Sequence, residues 1–383
     1  MRPKSKISSL WNDPGAPEAY QSGVSLHSHT SMSVESLMFI HKMFVFAPGI
    51  RQVFEHYDRK SRSQGFKLDF VSAHWRPPLL PKMAYDVEWK QIHELGLQPL
   101  VSITDHDTIE APMLLRTVQS SRHIPVSVEW TVPFGVTEFH IGVHNLPSAD
   151  GQAWMKLFEA YTQAPGEEKL FRMLRELDDV PGVLLVLNHP IWDLHKVGHD
   201  VHMRELLRFL DEIGNCIHAL ELNGLRSTRE NHAVVQLARE TGYLLIGGGD
   251  RHSLEPNANI NLTTARNFRE FVNEIRVERR SHVLFMGQYA KPWEQRILHS
   301  TLDAVTDFPE FIEGWRRWDD RAFHPDRHGE MRPLSQLWPD GQGPLPLRAA
   351  IQFVRMARSR TFTKSFSLAF RGTHDPEAEM KLL

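Results

Sequence analysis

Imidazoles and carboxylates recur along this chain at the ends of short apolar runs, and that placement carries the chemical content. LHSHT puts His27 and His29 two residues apart. On an extended strand such residues share a side, so both rings can reach one ion. DRH repeats the spacing with Asp250 and His252 behind YLLIGGG, whose glycines allow close backbone approach. TDHDT sets His106 behind LVSI, NHP sets His189 behind GVLLVL, VEW ends a run at Glu129, and EFH offers His140 at the start of another. Gathered at one face, such groups would repel or stay poorly paired unless a cation joined them. Mixed nitrogen and oxygen donors suit Zn²⁺, Mn²⁺ or Fe²⁺ better than an ion that prefers oxygen alone.

Singly, each motif has an ordinary reading. An HxH pair is commonly a surface or core feature, TDHD can form a turn or a helix cap, and NHP can simply end a strand. The joint occurrence, each motif at the end of a strand-like run, is what points to a metal site. Histidine supplies metal ligands and proton carriers, and the chain has 22 of them.

Such a site needs strands that deliver their ends to one face. From about residue 180 the pattern is regular: GVLLVLNHP and IHALELNG read as strands, VHMRELLRFLDEIG and STRENHAVVQLARETG as helices, and YLLIGGGD as a further strand. Ser227 or Thr228 caps the second helix and Gly242 stops it. Alternation of this length indicates βαβ units and a parallel sheet. GVSLHSHT, LVSITDHDT, IPVSVEW and FHIGVHNL extend the scheme, with helical stretches such as YDVEWKQIHELGL and GEEKLFRMLRELDD between some of them. Roughly seven strands favour a barrel, whose post-strand loops form the face where sites sit. Two regions break the rhythm. An insertion from about Phe39 to Pro81 leaves after the first strand and is expected near the barrel mouth, since loops of this length tend to be functional. After Gly287 the alternation stops, and the remainder is rich in Trp, Arg and Pro.

The set resembles the PHP family, named for polymerase and histidinol phosphatase. LHSHT is similar to its first motif, ITDHDT to its second, NHP to its third and GGGDRH to its fourth, and ALELNG resembles the strand before the last ligand pair. The resemblance runs from about Gly23 to Gly287. It implies a distorted (β/α)7 barrel holding two or three divalent ions (Mn, Zn or Fe). The implied organisation is an N-terminal tail over 1–22, a phosphoesterase domain over 23–287 with the insertion at about 39–81, and a partly helical C-terminal extension over 288–383. By the resemblance, His27, His29, Glu129 and Asp250 hold one ion, and Glu129 bridges to a second held by His140 and His189. His106 and His252 hold a third, together with a ligand shortly after HxH. That position is usually His or Asp; here TSMSVES leaves Glu35 as the candidate, a departure from the commoner pattern.

Weaker candidates surround this set. Arg226 and Arg251 suit phosphate through the planar fork of arginine, against the ordinary reading of a surface ion pair. Asp105 is placed to orient a ligand. His74 and Arg76 reach substrate if the insertion folds over the mouth, surface placement being the ordinary alternative. His195, His199 and His202 read as loop and cap residues.

Bulk properties narrow the class. A formal charge of -3 gives no basic footprint for long nucleic acids. One cysteine, Cys216, excludes an internal disulfide and fits a reducing cytoplasmic setting. The N-terminus lacks a signal-like apolar core, and no apolar run approaches the ~20 residues that span a bilayer. The expected chemistry is hydrolysis of a phosphoester: two ions sharing Glu129 lower the pKa of a water, hydroxide attacks phosphorus in line, and an Arg neutralises phosphoryl charge. Expected partners are a small phosphorylated substrate or nucleotide, with short nucleic acid as a second option and no membrane; the oligomeric state is open. Competing readings are a non-phosphate metallohydrolase and a non-catalytic metal-binding module. From Leu345 to Arg371, basic residues interleave with Phe353, Phe362, Phe366 and Phe370. That pattern can bind single strands, although a helix with a solvated basic side is the ordinary reading.

Overall fold

Runs of Val, Ile and Leu bounded by Gly, Asn and Pro form the strands of this chain, and their order determines where the polar ends gather. The structure is a computed structural model of the 383-residue chain. It describes residues 4–37, 59, 69, 71–213, 216–338, 341, 343 and 345–356. Contacts divide the chain into two units: one holds the described residues of 4–32 and 79–297, the other those of 33–78 and 298–356.

The first unit is mixed α/β. Its strands are β1 (Lys4–Ser9), β2 (Ser22–Ser25), β3 (Gln98–Val101), β4 (Val126–Phe134), β5 (Thr137–Leu146), β6 (Leu184–Asn188), β7 (Ala219–Asn223), β8 (Leu244–Gly248), β9 (Asn259–Thr263) and β10 (Arg280–Phe285). Its main helices are α1 (Pro81–Glu94), α2 (Glu110–Leu115), α3 (Gly151–Gln163), α4 (Glu167–Asp178), α5 (His199–Ile213), α6 (Thr228–Thr241) and α7 (Phe268–Arg276). The strands pair as two five-stranded sheets, ordered β1-β10-β9-β2-β3 and β8-β7-β6-β5-β4. Single-residue bridges, Ser28 to Arg251 and His106 to Glu129, lie beyond the named pairings.

This corrects two expectations. The strands do not run as one continuous barrel ladder, because side chains take up part of the backbone pairing. Leu245 N donates to Ser5 Oγ (2.8 Å), Gly247 N donates to Asn261 Oδ1 (2.7 Å), and Asn261 Nδ2 returns to Gly247 O (2.8 Å). Nor is the pairing all parallel. β4 and β5 form an antiparallel hairpin, β5 is antiparallel to β6, and β9 is antiparallel to both its neighbours. The hairpin follows from a two-residue loop, Gly135-Val136, with Gly135 at φ 57°; glycine in the first loop position matches the right-handed twist of the strands.

β6, β7 and β8 are buried on both faces, as their unbroken apolar runs require. Leu185, Leu187, Leu220, Leu222 and Leu245 join a cluster with Trp130, Phe158, Phe209 and Val235. Leu184, Val186, Ala219, Leu244 and Ile246 face the other way, onto Val24, Leu26, Phe271 and Ile275. Period two therefore puts Glu221 on the same side as Ala219. α6 begins with a capping box, Ser227 Oγ accepting from Glu230 N (3.2 Å), and ends at Gly242 with φ 77°.

A buried histidine pins β1 to this unit. His282 lies between Ser8 Oγ (2.7 Å) and Tyr20 Oη (2.7 Å). Burial and the nearby Lys6 charge hold its pKa down to about 4, from an ordinary 6.5. The folded chain therefore resists a proton that the unfolded chain accepts. Its contribution is intact above pH 6.5, falls with pH, and levels off below about 4. We expect metal-stripped protein to lose stability across that window, and His282→Gln to flatten the loss by one proton's worth of slope. Urea midpoints measured at several pH values check this; parallel profiles for the two proteins would refute it.

In the second unit, the strands Glu35–Ser36, His74–Trp75, Ala322–Pro325 and Met331–Pro333 form an antiparallel sheet. Arg321 is buried here, and its guanidinium donates to the carbonyls of Trp315, Ala304 and Thr306. Most of the insertion expected near the mouth lies outside the described residues, as do Arg358, Arg360, Phe362, Lys364, Phe366, Phe370 and Arg371 of the C-terminal stretch. Among the described residues, no helix is long and apolar enough to cross a membrane.

Candidate metal centre

The polar residues that follow β2, β3, β6 and β8 converge with two residues inside β4 and β5. His27 and His29 follow β2, His106 follows β3, His189 follows β6, and Asp250 and His252 follow β8. Glu129 and His140 stand within their strands rather than at an end and a start, because VEW continues through Phe134 into the hairpin. Register completes the gathering: Thr131 pairs with His140, and His140 pairs with Asn188 at the end of β6.

The HxH pair converges by a different route from the one expected. His27 has φ 59°, so this segment is not extended. Two loops hold each other instead: Asp250 N donates to His27 O (2.7 Å) and His29 N donates to Arg251 O (2.9 Å). The His27 and His29 ring centroids end 5.1 Å apart. His189 (φ 27°) and Asp250 (φ 54°) share the left-handed backbone. Non-glycine residues adopt it at a cost, and such strain gathers at functional positions held by their surroundings.

Glu129 is the centre of the set. Its Oε2 lies 3.0 Å from His27 Nε2, 3.3 Å from His29 Nε2 and 3.3 Å from His106 Nδ1. Its Oε1 lies 3.1 Å from His140 Nδ1 and 3.2 Å from His189 Nε2, and accepts from Asn188 Nδ2 (2.9 Å). Asp250 Oδ1 is 3.5 Å from His27 Nε2, 3.6 Å from His29 Nε2 and 3.5 Å from His252 Nδ1. The His29 ring stacks on His106 and on His252, with centroids 4.7 and 4.2 Å apart. Among the described residues of the first unit, three overlapping groups could hold an ion: His27, His29 and Glu129; His27, His189 and Asp250; His106, Glu129 and His140. Glu35 belongs to the second unit, where its buried carboxylate accepts from Ser33 Oγ (2.6 Å).

The donor set fits a cation. His27 Nδ1 donates to Glu221 Oε1 (2.6 Å), which directs the Nε2 lone pair of a neutral ring at Glu129 Oε2. Both atoms are buried, and neither makes a hydrogen bond. Without an ion, protons take that place. Burial works against charge on His27, but Glu129, Glu221 and Asp250 outweigh it and lift its pKa well above the usual value. Burial likewise opposes charge on His140, and Glu129 lifts it to about 9. Burial pushes Glu129 and Asp250 upward, yet the imidazoles, His27 foremost, hold both well below the carboxylate range. His189 is lowered by burial. Ion binding must displace the protons, so affinity rises with pH.

Glu221 was not singled out in the sequence. It orients two donors, since its Oε2 accepts from His189 N (2.8 Å) while Oε1 holds His27. Asn223 Nδ2 adds bonds to Glu221 Oε2 (2.9 Å) and Asp250 Oδ2 (3.2 Å). A carboxylate inside the apolar run IHALELNG was the available signal. Gly248 makes room for it: a Cβ there would sit 1.7 Å from Glu221 Oε1. Groups that orient ligands in this way are worth about 10–100-fold in metal affinity. Glu221→Gln is expected to weaken metal binding by that factor with the fold retained. Metal titration of the purified variant checks it, and unchanged affinity would count against this role.

The weaker candidates separate. Asp105 holds the turn after HxH, accepting from Thr30 N (2.5 Å) and Thr30 Oγ1 (2.7 Å). Arg251, expected as a phosphate contact, is buried and donates to Glu88 Oε1 (2.8 Å) and Ser253 O (2.9 Å). Arg226 does face the centre, its Nη2 3.7 Å from Asp250 Oδ2. His74 and Arg76 lie in the second unit against Phe323, one stacked and one over the ring. His195 Nε2 is 3.5 Å from Glu138 Oε2, and His202 bonds Thr137 and Pro190 O.

No family model matches the chain, and no curated protein matches it. Solved structures do. PsfC from Pseudomonas syringae PB-5123 is similar over 58% of this chain and 87% of its own, at 15% identity and a TM-score of 0.39. A Bifidobacterium adolescentis protein, provisionally described as a metal-dependent phosphoesterase, matches over 52% of this chain and 91% of its own, at 14% identity and a TM-score of 0.32. An amidohydrolase from Chromobacterium violaceum, with bound sulfate and no metal, matches over 46% and 83%, at 17% identity and a TM-score of 0.32. At these identities and scores the likenesses carry no argument about activity.

Proposed function

We propose that the chain is a metal-dependent phosphoesterase acting on phosphomonoesters or on nucleotide and oligonucleotide ends. One observation carries the reading: the buried Glu129 carboxylate offers one oxygen to His27, His29 and His106 and the other to His140 and His189. A carboxylate shared in this way suits two ions. The phosphoester part rests on the PHP resemblance of LHSHT, ITDHDT, NHP and GGGDRH. In this reading His27, His29, Glu129 and Asp250 hold one divalent ion, and His140 and His189 share Glu129 with a second. His106 and His252 serve a third, for which the resemblance implies Glu35 as a further ligand. Mn, Zn or Fe suits these donors.

Bound divalent ions supply Lewis acidity and a more acidic water for in-line attack at phosphorus. The protein's own groups do the rest. Glu221 fixes the His27 tautomer and Asn188 holds Glu129. Arg226 presents positive charge beside Asp250, where phosphoryl oxygens can meet it. Burial of the whole set strengthens each of these interactions by limiting the screening of water. A terminal phosphate, with its exposed oxygens, suits such a site better than an internal diester, and the formal charge of -3 favours small substrates or short ends over long nucleic acid. A reducing, cytoplasmic setting completes the proposal, on the single Cys216.

The test is a screen of Mn²⁺-loaded protein against sugar phosphates, nucleotides, cyclic phosphates and short oligonucleotides. Release of phosphate from monoesters or strand ends is expected. Internal cutting of a circular single strand would contradict the end preference. No turnover of any phosphate ester, with metal present, would overturn the reading in favour of a non-phosphate hydrolase or a binding module.

A further inference from the structure

Arg226 is a cation in an unusual state. Its side chain is 13% exposed, its Nε makes no hydrogen bond, and its charged neighbour Asp250 stands 3.7 Å away. Asp250 is already engaged by His27 and His29 at 3.5 and 3.6 Å and by Asn223 Nδ2 at 3.2 Å. An ion held by Asp250 would draw on that carboxylate further and leave the guanidinium in need of an anion.

The arginine is nevertheless held in place. Its backbone loop is fixed from below: Leu225 N donates to Asn223 Oδ1 (2.9 Å), Trp293 Nε1 donates to Leu225 O (3.1 Å), and the buried Arg296 donates to Gly224 O and to Arg226 O (2.9 Å). Its side chain is fixed by Trp192, whose ring centroid is 3.4 Å from Arg226 Cζ. Trp192 reaches this position through a tight turn after NHP, in which Trp192 N donates to His189 O (2.9 Å). Its ring also stands edge-on to His189, with centroids 5.0 Å apart and planes at 78°. A stacked face leaves a guanidinium only its in-plane N–H groups for hydrogen bonding, and the indole restricts that plane.

We propose that Trp192 is a positioning residue that holds Arg226 as a seat for the phosphoryl oxygens of the substrate. The proposal rests on the phosphoesterase reading above and adds the residue pair that recognises the phosphoryl group. Trp192 acts through Arg226 and touches neither the reacting atoms nor an ion. The chemistry favours a tetrahedral dianion, which can accept from the guanidinium edge while its remaining oxygens face the histidine cluster. A monocarboxylate that gives both oxygens to the guanidinium edge has none left for the cluster.

The test measures the affinity of inorganic phosphate, with acetate as the control, by calorimetry on metal-loaded protein. Metal content and the kinetics of a phosphomonoester are followed in parallel. Arg226→Gln should weaken phosphate binding by about 10-fold or more. Trp192→Leu should weaken it by roughly 3–10-fold and raise KM more than it lowers kcat, and Trp192→Phe should restore most of the loss. Metal content should stay unchanged in all three, and acetate should not compete. If wild type binds phosphate but Trp192→Leu and Trp192→Phe both match it, the positioning role is overturned alone. If Trp192→Leu instead loses metal, the residue serves His189 and the proposal is wrong. If metal-loaded wild type binds no phosphate and turns over no phosphate ester, the phosphoesterase reading itself fails.

Discussion

Glu129→Gln is expected to release metal and to lower phosphomonoester hydrolysis by at least about 10³-fold, on the order of 4 kcal/mol of transition-state stabilisation. The size follows from position. Five imidazoles approach its two oxygens at 3.0–3.3 Å, so one substitution removes a ligand from every group that shares it. The amide keeps the shape and the bond from Asn188 but loses the charge and one acceptor. Asp250→Ala should behave similarly, since Asp250 contacts His27, His29 and His252. Neither change removes core packing, so circular dichroism should stay close to wild type. Metal content and kcat/KM check the expectation; hydrolysis within about tenfold of wild type, with metal retained, would show that Glu129 is not the shared ligand.

Glu88→Ala is expected to cost about 3–5 kcal/mol of stability, the range for removing one partner of a buried ion pair. Glu88 is fully buried in α1 and accepts from Arg251 Nε (2.8 Å), Ser25 Oγ (2.9 Å) and Asn257 N (3.1 Å). Burial raises its pKa and the Arg251 charge opposes that rise; the pair itself is fixed by the 2.8 Å contact. Without it the Arg251 guanidinium stays buried and unpaired, between Asp250 and His252. Loss of metal affinity should accompany loss of stability, because the same side chain anchors both ligands. Replacing the pair together, Glu88→Leu with Arg251→Met, should recover part of the stability, since no lone charge is then left inside. Urea denaturation distinguishes these cases; a single variant within about 0.5 kcal/mol of wild type would refute the account.

Much of the site was legible because its donors sit at the ends of unbroken apolar runs. NHP behind GVLLVL and DRH behind YLLIGGG mark where β6 and β8 stop, and their polar residues lie where that reading puts them. HxH converges, but not along an extended strand. Two loops bring His27 and His29 together, with His27 at φ 59°, and no local sequence pattern encodes that turn. The hairpin joining β4 and β5 was missed for a similar reason. IPVSVEW and FHIGVHNL read as separate strands, whereas the Gly135-Val136 loop between them closes a hairpin. The barrel expectation counted strands but not the asparagines that replace strand pairing, such as Asn261 on Gly247. Glu88 and Glu221 were hidden by their settings. Each is a lone carboxylate in an apolar stripe, Glu88 between Ala84 and Ile92 on α1, Glu221 between Leu220 and Leu222 on β7. Such residues show their importance only when their partners, distant in sequence, are in place.

The central claim is that Glu129 organises a centre holding more than one ion. Elemental analysis after mild purification tests it most directly, on wild type and on Glu129→Gln side by side. The account predicts more than one transition-metal ion per chain in wild type and a clear loss in the variant. Fewer than one ion in wild type, with no uptake of added Mn²⁺ or Zn²⁺, would contradict it.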